Sequence, residues 1–235
     1  AIIHQGTPLD FMIEGSNLKN YRVLFLADAH VSRRDSEAIA AWVKAGGTLF
    51  ATAGAGMFDE LNQPNTILRT VLGVNPAGLD APASSYVGMV KQELPFAAPV
   101  DEILGESGNT PVYGVRSRVK AAGAKVQLKF KSGAPALTLN SQGRGMAYYA
   151  AFLPGITYFA PGTPKVPVDR GSTAQASAHS IPTRFDSGTA KLLQFANTTA
   201  ANPVRCSEPL VEANIIDSPK GSVVILSNWS GGHVK

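Results

Sequence analysis

One stretch decides the fold class: YRVLFLADAHVSRRDSEAIAAWVKAGGTLFATA, which spans residues 21–53. Its first seven residues form a near-continuous apolar run, which is typical of a strand buried on both faces of a parallel sheet. Ser32 and Asp35 then follow the pattern of a capping box, with Asp in the usual place of Glu, and predict the start of a helix. The Gly-Gly pair before Thr48 predicts the end of that helix, and residues 48–53 predict the next buried strand.

The surrounding sequence continues this alternation of strands and helices. Within the first predicted helix, the apolar residues Ile39, Trp42 and Val43 recur at helical spacing. Residues 65–72 predict a second helix that ends at a glycine, and residues 145–152 predict another buried strand. We therefore expect an α/β fold with a doubly wound, mostly parallel sheet.

The middle of the chain has a different pattern. Helical periodicity fades over residues 77–142, where short alternating runs separated by turn residues predict an antiparallel β excursion. Residues 161–188 are rich in proline and small polar residues and predict a loop. Residues 189–199 have apolar side chains at helical spacing and predict a further helix.

The C-terminal part predicts strands again, at residues 204–207, 210–216 and 222–229. They suggest the start of a β-sandwich whose remainder is missing. We expect an α/β domain over residues 1–200, with the β-rich insertion at about 77–142, and a partial C-terminal β domain over residues 201–235.

The composition limits the classes of protein to which the chain can belong. Of its 235 residues, 44% are hydrophobic and 16% are charged, which excludes a disordered chain and a coiled coil. The net charge is +4 without a dense basic run, so we expect no nucleic-acid partner. No apolar run approaches the roughly 18 residues of a transmembrane helix, so we expect no membrane partner. The single cysteine, Cys206, excludes an internal disulfide and leaves the compartment open.

The stretch NLKNYRVLFLADAHVSRRDSEAIAAWVKAGGTLFATAGAGMFDE, residues 17–60, resembles the glutamine-amidotransferase-like domain attached to family 42 β-galactosidases, their trimerisation domain. Residues 143–155 and 211–230 resemble the family's late Gly-x-Gly strand and the β-domain strand pair that often follows. The resemblance implies a class I glutamine-amidotransferase-like, flavodoxin-like fold and a role in subunit contacts. In the first stretch, the residues that match the family are Tyr21, Ser32, Trp42-Val43, Gly46-Gly47, Gly56 and Asp59-Glu60.

The chain departs from this family in ways that bear on catalysis. Residues 1–7 look like the tail of the family's first helix, so the first strand of the sheet is expected to be absent, as is the barrel that carries the catalytic carboxylates of β-galactosidases. Amidotransferases place a cysteine on the turn after the second strand, but here that position is Gly54, with no Ser or Cys in a nearby register. We expect no catalytic residue, no cofactor and no amidotransferase activity in this chain.

Polar residues follow the ends of the predicted strands, at the sheet edge where α/β folds bind ligands. An Asp-x-His pair beside further acids suits a metal or a sugar hydroxyl. We favour the other interpretation, in which Asp28 and Glu14 cap helices or turns and His30 is a solvated loop residue. The histidines lack zinc-site spacing, so no metal site is predicted. The candidate ligand-binding residues are Glu14, Asp28, His30, Gly54, Gly56, Asp59 and Glu60.

Three functions remain open at this point. The first is a non-catalytic accessory or oligomerisation domain of a multidomain, β-galactosidase-like protein, which we favour. The second is a module that binds a small sugar at the sheet edge, and the third is a glycoside hydrolase fragment that uses the edge carboxylates. Because a sheet without its first strand exposes backbone groups, we expect a homo-oligomer, or completion by other parts of the parent chain.

Overall fold

The computed structural model describes residues 2–5, 7, 9–81, 98–105, 108–162, 185–199, 204, 206–207 and 210–229. Short 3-10 helices lie at Ile3–Gln5, Leu18–Asn20 and Ala160–Gly162. The α-helices of these described ranges are α1 (Arg33–Lys44), α2 (Thr66–Leu72), α3 (Pro154–Phe159) and α4 (Ser187–Thr199). The strands are β1 (Val23–Leu26), β2 (Thr48–Ala51), β3 (Val74–Asp80), β4 (Asp101–Ile103), β5 (Thr110–Val112), β6 (Arg116–Ala121), β7 (Lys125–Lys129), β8 (Pro135–Gln142), β9 (Gly145–Ala150), β10 (Val211–Ser218) and β11 (Gly221–Asn228).

A five-stranded mixed sheet, in the order β1-β2-β9-β8-β7, forms the centre of this α/β fold. The three strands predicted to be parallel, β1, β2 and β9, are neighbours and run parallel, which confirms their pairing, but β1 was predicted to be buried and is only half-buried because it lies at the edge of the sheet. The sheet as a whole is not mostly parallel, because β8 pairs antiparallel with β9 and β7 pairs antiparallel with β8. The physical reason is the short connection at Gly143 between β8 and β9, since a tight turn permits only antiparallel pairing.

Helix α1 begins at the predicted cap, where the Ser32 hydroxyl accepts a hydrogen bond from the Asp35 amide at 3.1 Å. The capping box also predicts that the Asp35 carboxylate accepts from the Ser32 amide, and this part of the prediction is wrong. The carboxylate instead accepts from the Gly15 amide at 3.1 and 3.3 Å. The helix ends at the Gly-Gly pair, and Gly46 has φ +123°. A Cβ on Gly47 would lie 2.3 Å from the Trp42 ring, so the close contact of helix and sheet requires glycine there.

Helix α2 and the central strands complete the main core. The Asn65 side chain caps α2 by accepting from the Leu68 amide at 3.1 Å, and Gly73 ends it in the left-handed conformation, as the sequence predicted. Both α1 and α2 contact β9 and each other, so they share one face of the sheet. Strand β2 is buried along its whole length and packs between them and the rest of the core.

The described part of the predicted β excursion is antiparallel, as expected. Strand β3 pairs with β6, and β4 pairs with β5. Strands β7 and β8 also fall in the excursion but belong to the central sheet. Arg116 of β6 connects the pieces, because its guanidinium contacts the carboxylates of Asp80 on β3 and Asp101 on β4.

The C-terminal residues form the antiparallel hairpin β10–β11, which confirms two of the three predicted strands. The third is wrong for residues 204, 206 and 207, which have no strand conformation. The predicted helix near residue 189 is α4, and most of the predicted loop before it lies outside the described residues. None of the described helices is long and apolar enough to cross a membrane.

Candidate functional site

Neighbouring side chains contact the turn after β2, where the sequence places the nucleophile position of amidotransferases. Gly54 has φ +82°, which glycine adopts without strain. Its amide donates to the Ser117 hydroxyl at 3.1 Å and to the Tyr149 hydroxyl at 3.2 Å, and these two hydroxyls are 2.7 Å apart. Burial raises the pKa of Tyr149, with the hydrogen bonds opposing that shift. At nucleophile turns the oxyanion donor is the amide of the next residue, here Ala55, and that amide donates to the Thr52 carbonyl at 2.9 Å, so it too is bound internally.

The loops that follow β1 and β2 are joined by backbone hydrogen bonds. The Gly56 amide donates to the Asp28 carbonyl at 2.8 Å, and the Phe58 amide donates to the Ala29 carbonyl at 3.0 Å. The Val31 amide in turn donates to the Phe58 carbonyl at 3.0 Å. The two loops form one braced unit at the carboxyl edge of the parallel strands.

Asp59 is buried at the centre of this unit. Its carboxylate accepts from the amides of Leu61 and Gln63 at 3.0 and 2.8 Å and from the Arg33 side chain at 2.8 Å. Burial alone would raise the pKa of Asp59, but the hydrogen bonds from Gln63, Arg33 and Leu61 outweigh it and lower that pKa below its usual value. The Asp59 carboxylate therefore stabilises the loop of residues 59–63.

The other predicted residues of this unit also hold the loops together. The Asp28 carboxylate accepts from the His30 amide at 3.0 Å, and the His30 ring contacts Asn62 Oδ1 at 3.0 Å and stacks on Phe58. Glu60 accepts from the first amide of α1, that of Arg33, at 2.7 Å. The contacts of Asp28 and His30 agree with the capping and loop roles that we favoured for them, whereas the capping of α1 by Glu60 was not predicted.

The structure brings five of the seven candidates together and separates two. Glu14 lies on a turn whose Gly15 amide contacts α1, and it makes no hydrogen bond to the other candidates in the described part of the chain. Gly54 faces the buried pair Ser117 and Tyr149. Within the described ranges, no group of three or more His, Cys, Asp or Glu residues is placed to hold a metal ion. The ligand-binding role of these candidates stays a prediction.

Sequence reasoning missed several residues of this region. Ser117 and Tyr149 come from distant strands, and only the fold places them beside Gly54. Leu61 lies at the tip of the loop with 65% of its surface exposed. The one available signal was an isolated apolar residue in the polar run Asp-Glu-Leu-Asn-Gln.

The fold defines an α/β domain with a five-stranded mixed sheet, in which the Gly54 amide is bound by Ser117 and Tyr149. The family model described as the β-galactosidase trimerisation domain matches residues 1–160. The chain belongs to this family and is a non-catalytic accessory domain of the oligomerisation type. A comparison with curated proteins found no match.

Solved GH42 β-galactosidases have a similar fold. Gan42B from G. stearothermophilus gives a TM-score of 0.67 at 16% identity, over 97% of this chain and 29% of that chain. The cold-adapted enzyme from Rahnella sp. R3 gives 0.66 at 20% identity, over 97% and 30%. The enzyme from the psychrophilic Marinomonas ef1 gives 0.62 at 17% identity, over 99% and 28%. At these identities the likeness shows the fold, and the chain spans about three tenths of the length of these structures.

Proposed function

We propose that this chain is the oligomerisation module of a GH42-type β-galactosidase and that it holds that protein in a closed homotrimer. The observation that carries the proposal is the match of the trimerisation-domain model to residues 1–160. A closed ring of identical subunits satisfies every copy of the interface, which is the usual outcome for soluble oligomers. Hydrolysis of the galactoside is assigned to another part of the parent protein.

The exposed apolar surface of the chain supports this proposal. Phe11 and Ile13, in the segment before β1, are 96% and 84% exposed. The Tyr21 hydroxyl donates to the Asp10 carboxylate at 3.0 Å and ties this segment to the start of β1. Large apolar side chains grouped at an exposed sheet edge are typical of a surface that another chain or segment covers.

The finer fold class and the domain division belong to the same proposal. We assign β1, β2 and β9 to a doubly wound, flavodoxin-like sheet, because α1 links two of these parallel strands in the manner of a βαβ unit. We assign residues 201–235 to a partial β domain, because β10 and β11 pair only with each other among the described strands.

The proposal is tested by light scattering over a concentration series of the full chain. We expect a mass three times the 24.6 kDa of one chain, or multiples of it where the edge at β1 pairs further. The same samples are assayed with glutamine and a chromogenic galactoside, and neither should turn over. A monomeric mass at high micromolar concentration, with a folded circular-dichroism spectrum, would contradict the proposal.

A further inference from the structure

One histidine contacts three separate parts of the chain. His4 lies in the 3-10 helix Ile3–Gln5, which packs against β10. Its Nδ1 atom lies 3.1 Å from the Tyr158 hydroxyl of α3, and its Nε2 atom lies 3.9 Å from a carboxylate oxygen of Glu212 on β10. The His4 ring also packs edge-on against Phe185, with the ring centroids 4.9 Å apart. His4 therefore joins the N-terminal segment, α3 and the C-terminal hairpin.

This contact lies at the base of the β10–β11 hairpin. The two strands pair only with each other among the described strands. Leu210 and Val211, which directly precede Glu212, are buried, whereas Ile216 and Val223 near the turn of the hairpin are exposed. The burial of the hairpin is thus concentrated at the end that contacts His4.

The neighbours of His4 fix which nitrogen of the neutral ring carries the proton. A carboxylate favours an N–H group in front of it, so we assign the proton to Nε2, on the side of Glu212. Nδ1 is then an acceptor, and the Tyr158 hydroxyl donates to it. Tyr158 is buried, and within the described residues this is the only hydrogen bond of its hydroxyl. Protonation of His4 places a second hydrogen on Nδ1, and the Tyr158 hydroxyl then loses its acceptor.

The charges around the ring also favour the neutral form. The titratable groups that contact His4 are Glu212 from β10 and Tyr158 from α3, while the nearby Asp186 carboxylate accepts from an amide in the first turn of α4 at 2.6 Å. Burial lowers the pKa of His4 below its ordinary value of 6.5, the positive charge of the amino terminus lowers it further, and Glu212 opposes the shift. A protonated His4 is therefore more stable in solvent than in this contact.

We propose that His4 is a pH-sensitive joint, which holds the β10–β11 hairpin on the α/β domain while the ring is neutral and releases it when the ring is protonated. The attachment is complete above the ordinary histidine pKa of about 6.5 and weakens as the pH falls below it. Because one proton is involved, the docking equilibrium changes by at most about tenfold per pH unit. This inference concerns the C-terminal hairpin and does not depend on the proposed trimer.

Hydrogen–deuterium exchange of the full chain at about pH 7.5 and about pH 5.5, on either side of that pKa, tests the joint. After correction for the intrinsic pH dependence of amide exchange, the amides of β10 and β11 should lose protection at the lower pH, whereas those of β2 should keep it. His4→Gln retains a hydrogen-bonding side chain but does not titrate, so its hairpin should be equally protected at both pH values. His30→Gln, at a histidine on the loop after β1, is the matched control and should lose protection as the wild type does.

A second variant tests the direction of the effect. Glu212→Gln removes the charge that favours protonated His4 in the contact, so the loss of protection at the lower pH should be larger than in the wild type. Equal protection of the wild-type hairpin at both pH values would overturn the proposal. So would a wild-type loss of protection in His4→Gln, or a loss in β2 as large as that in the hairpin.

Discussion

The two edges of the central sheet differ in how they are protected from pairing with another strand. Strand β7, with the sequence KVQLK, carries Lys125 and Lys129 and two irregularities in its register with β8. Its end is also covered, since Ile103 of β4 forms an antiparallel bridge with Phe130 and the amide of the next residue, Leu104, donates to the Lys129 carbonyl at 3.1 Å. Charged residues, bulges and covering segments are the ordinary means by which edge strands avoid association.

Strand β1, with the sequence VLFL, has none of these protections. Its residues are half-buried, it pairs in regular register with β2, and no described strand pairs with its other side. Such an apolar strand is typical of the interior of a parallel sheet. The comparison teaches that the β7 edge is protected from pairing, whereas the β1 edge is not. We expect the β1 edge to be covered by the rest of the protein or by a second copy.

The largest expected effect comes from removing the apolar groups beside β1. Phe11→Asp combined with Ile13→Asp should weaken self-association of the chain at least about tenfold, which is about 1.4 kcal/mol, because it places charges on the surface that we propose another chain covers. Both side chains are exposed, so the fold should be unchanged. Light scattering at high concentration measures this, with Val126→Asp on β7 as the control. Equal effects of the two changes would show that the edges do not differ.

Removing the protection of β7 should create an effect of intermediate size. Lys125→Val combined with Lys129→Val leaves an apolar edge and should produce additional oligomers or aggregation at high concentration. The same positions changed to arginine keep the charge and should behave as the wild type. Unchanged solubility of the valine variant would mean that β4 and the register irregularities protect this edge without the lysines.

The smallest expected effect is a pH dependence on the β7 side. Burial would raise the pKa of Asp101, but hydrogen bonds from the Glu102 amide, Ser132 and Arg116 lower it below its usual value. A folded pKa below the unfolded value of about 3.9 means that the stabilisation is present above that pH and is lost as the pH falls further. Asp101→Asn should remove this dependence, which we expect to be at most about 1 kcal/mol for a partly exposed pair. Urea unfolding at pH 7 and pH 3 measures the change in the free energy of unfolding between the two pH values. If that change is the same in Asp101→Asn as in the wild type, the pH dependence does not come from Asp101.

Local signals predicted the half of the sheet around β2. The apolar runs of β1 and β2, the Ser32 cap and the glycine stops each lie within a few residues of the structure that they specify. The place of β7 and β8 in the same sheet was missed, because alternation predicts a strand but not its partner. The contact of Asp35 with Gly15 was missed for the same reason, since it joins segments 20 residues apart.

The position of the site was predicted for most of its residues, whereas Glu14 was expected at the same edge and lies on a turn beside α1. Ends of parallel strands meet at one edge, so Asp28, His30 and Asp59 were correctly placed near one another. Their hydrogen bonds depend on loop conformations that no periodic pattern encodes. Leu61 was missed because an isolated exposed apolar residue is common on protein surfaces.

The most direct test of the difference between the edges is hydrogen–deuterium exchange of the full chain at low and high micromolar concentration. Amides of β1 should exchange more slowly at the higher concentration, because pairing of that edge protects their backbone groups. Amides of β7 should exchange at the same rate in both samples. Slower exchange in β7 with no change in β1, while the mass increases, would contradict the account.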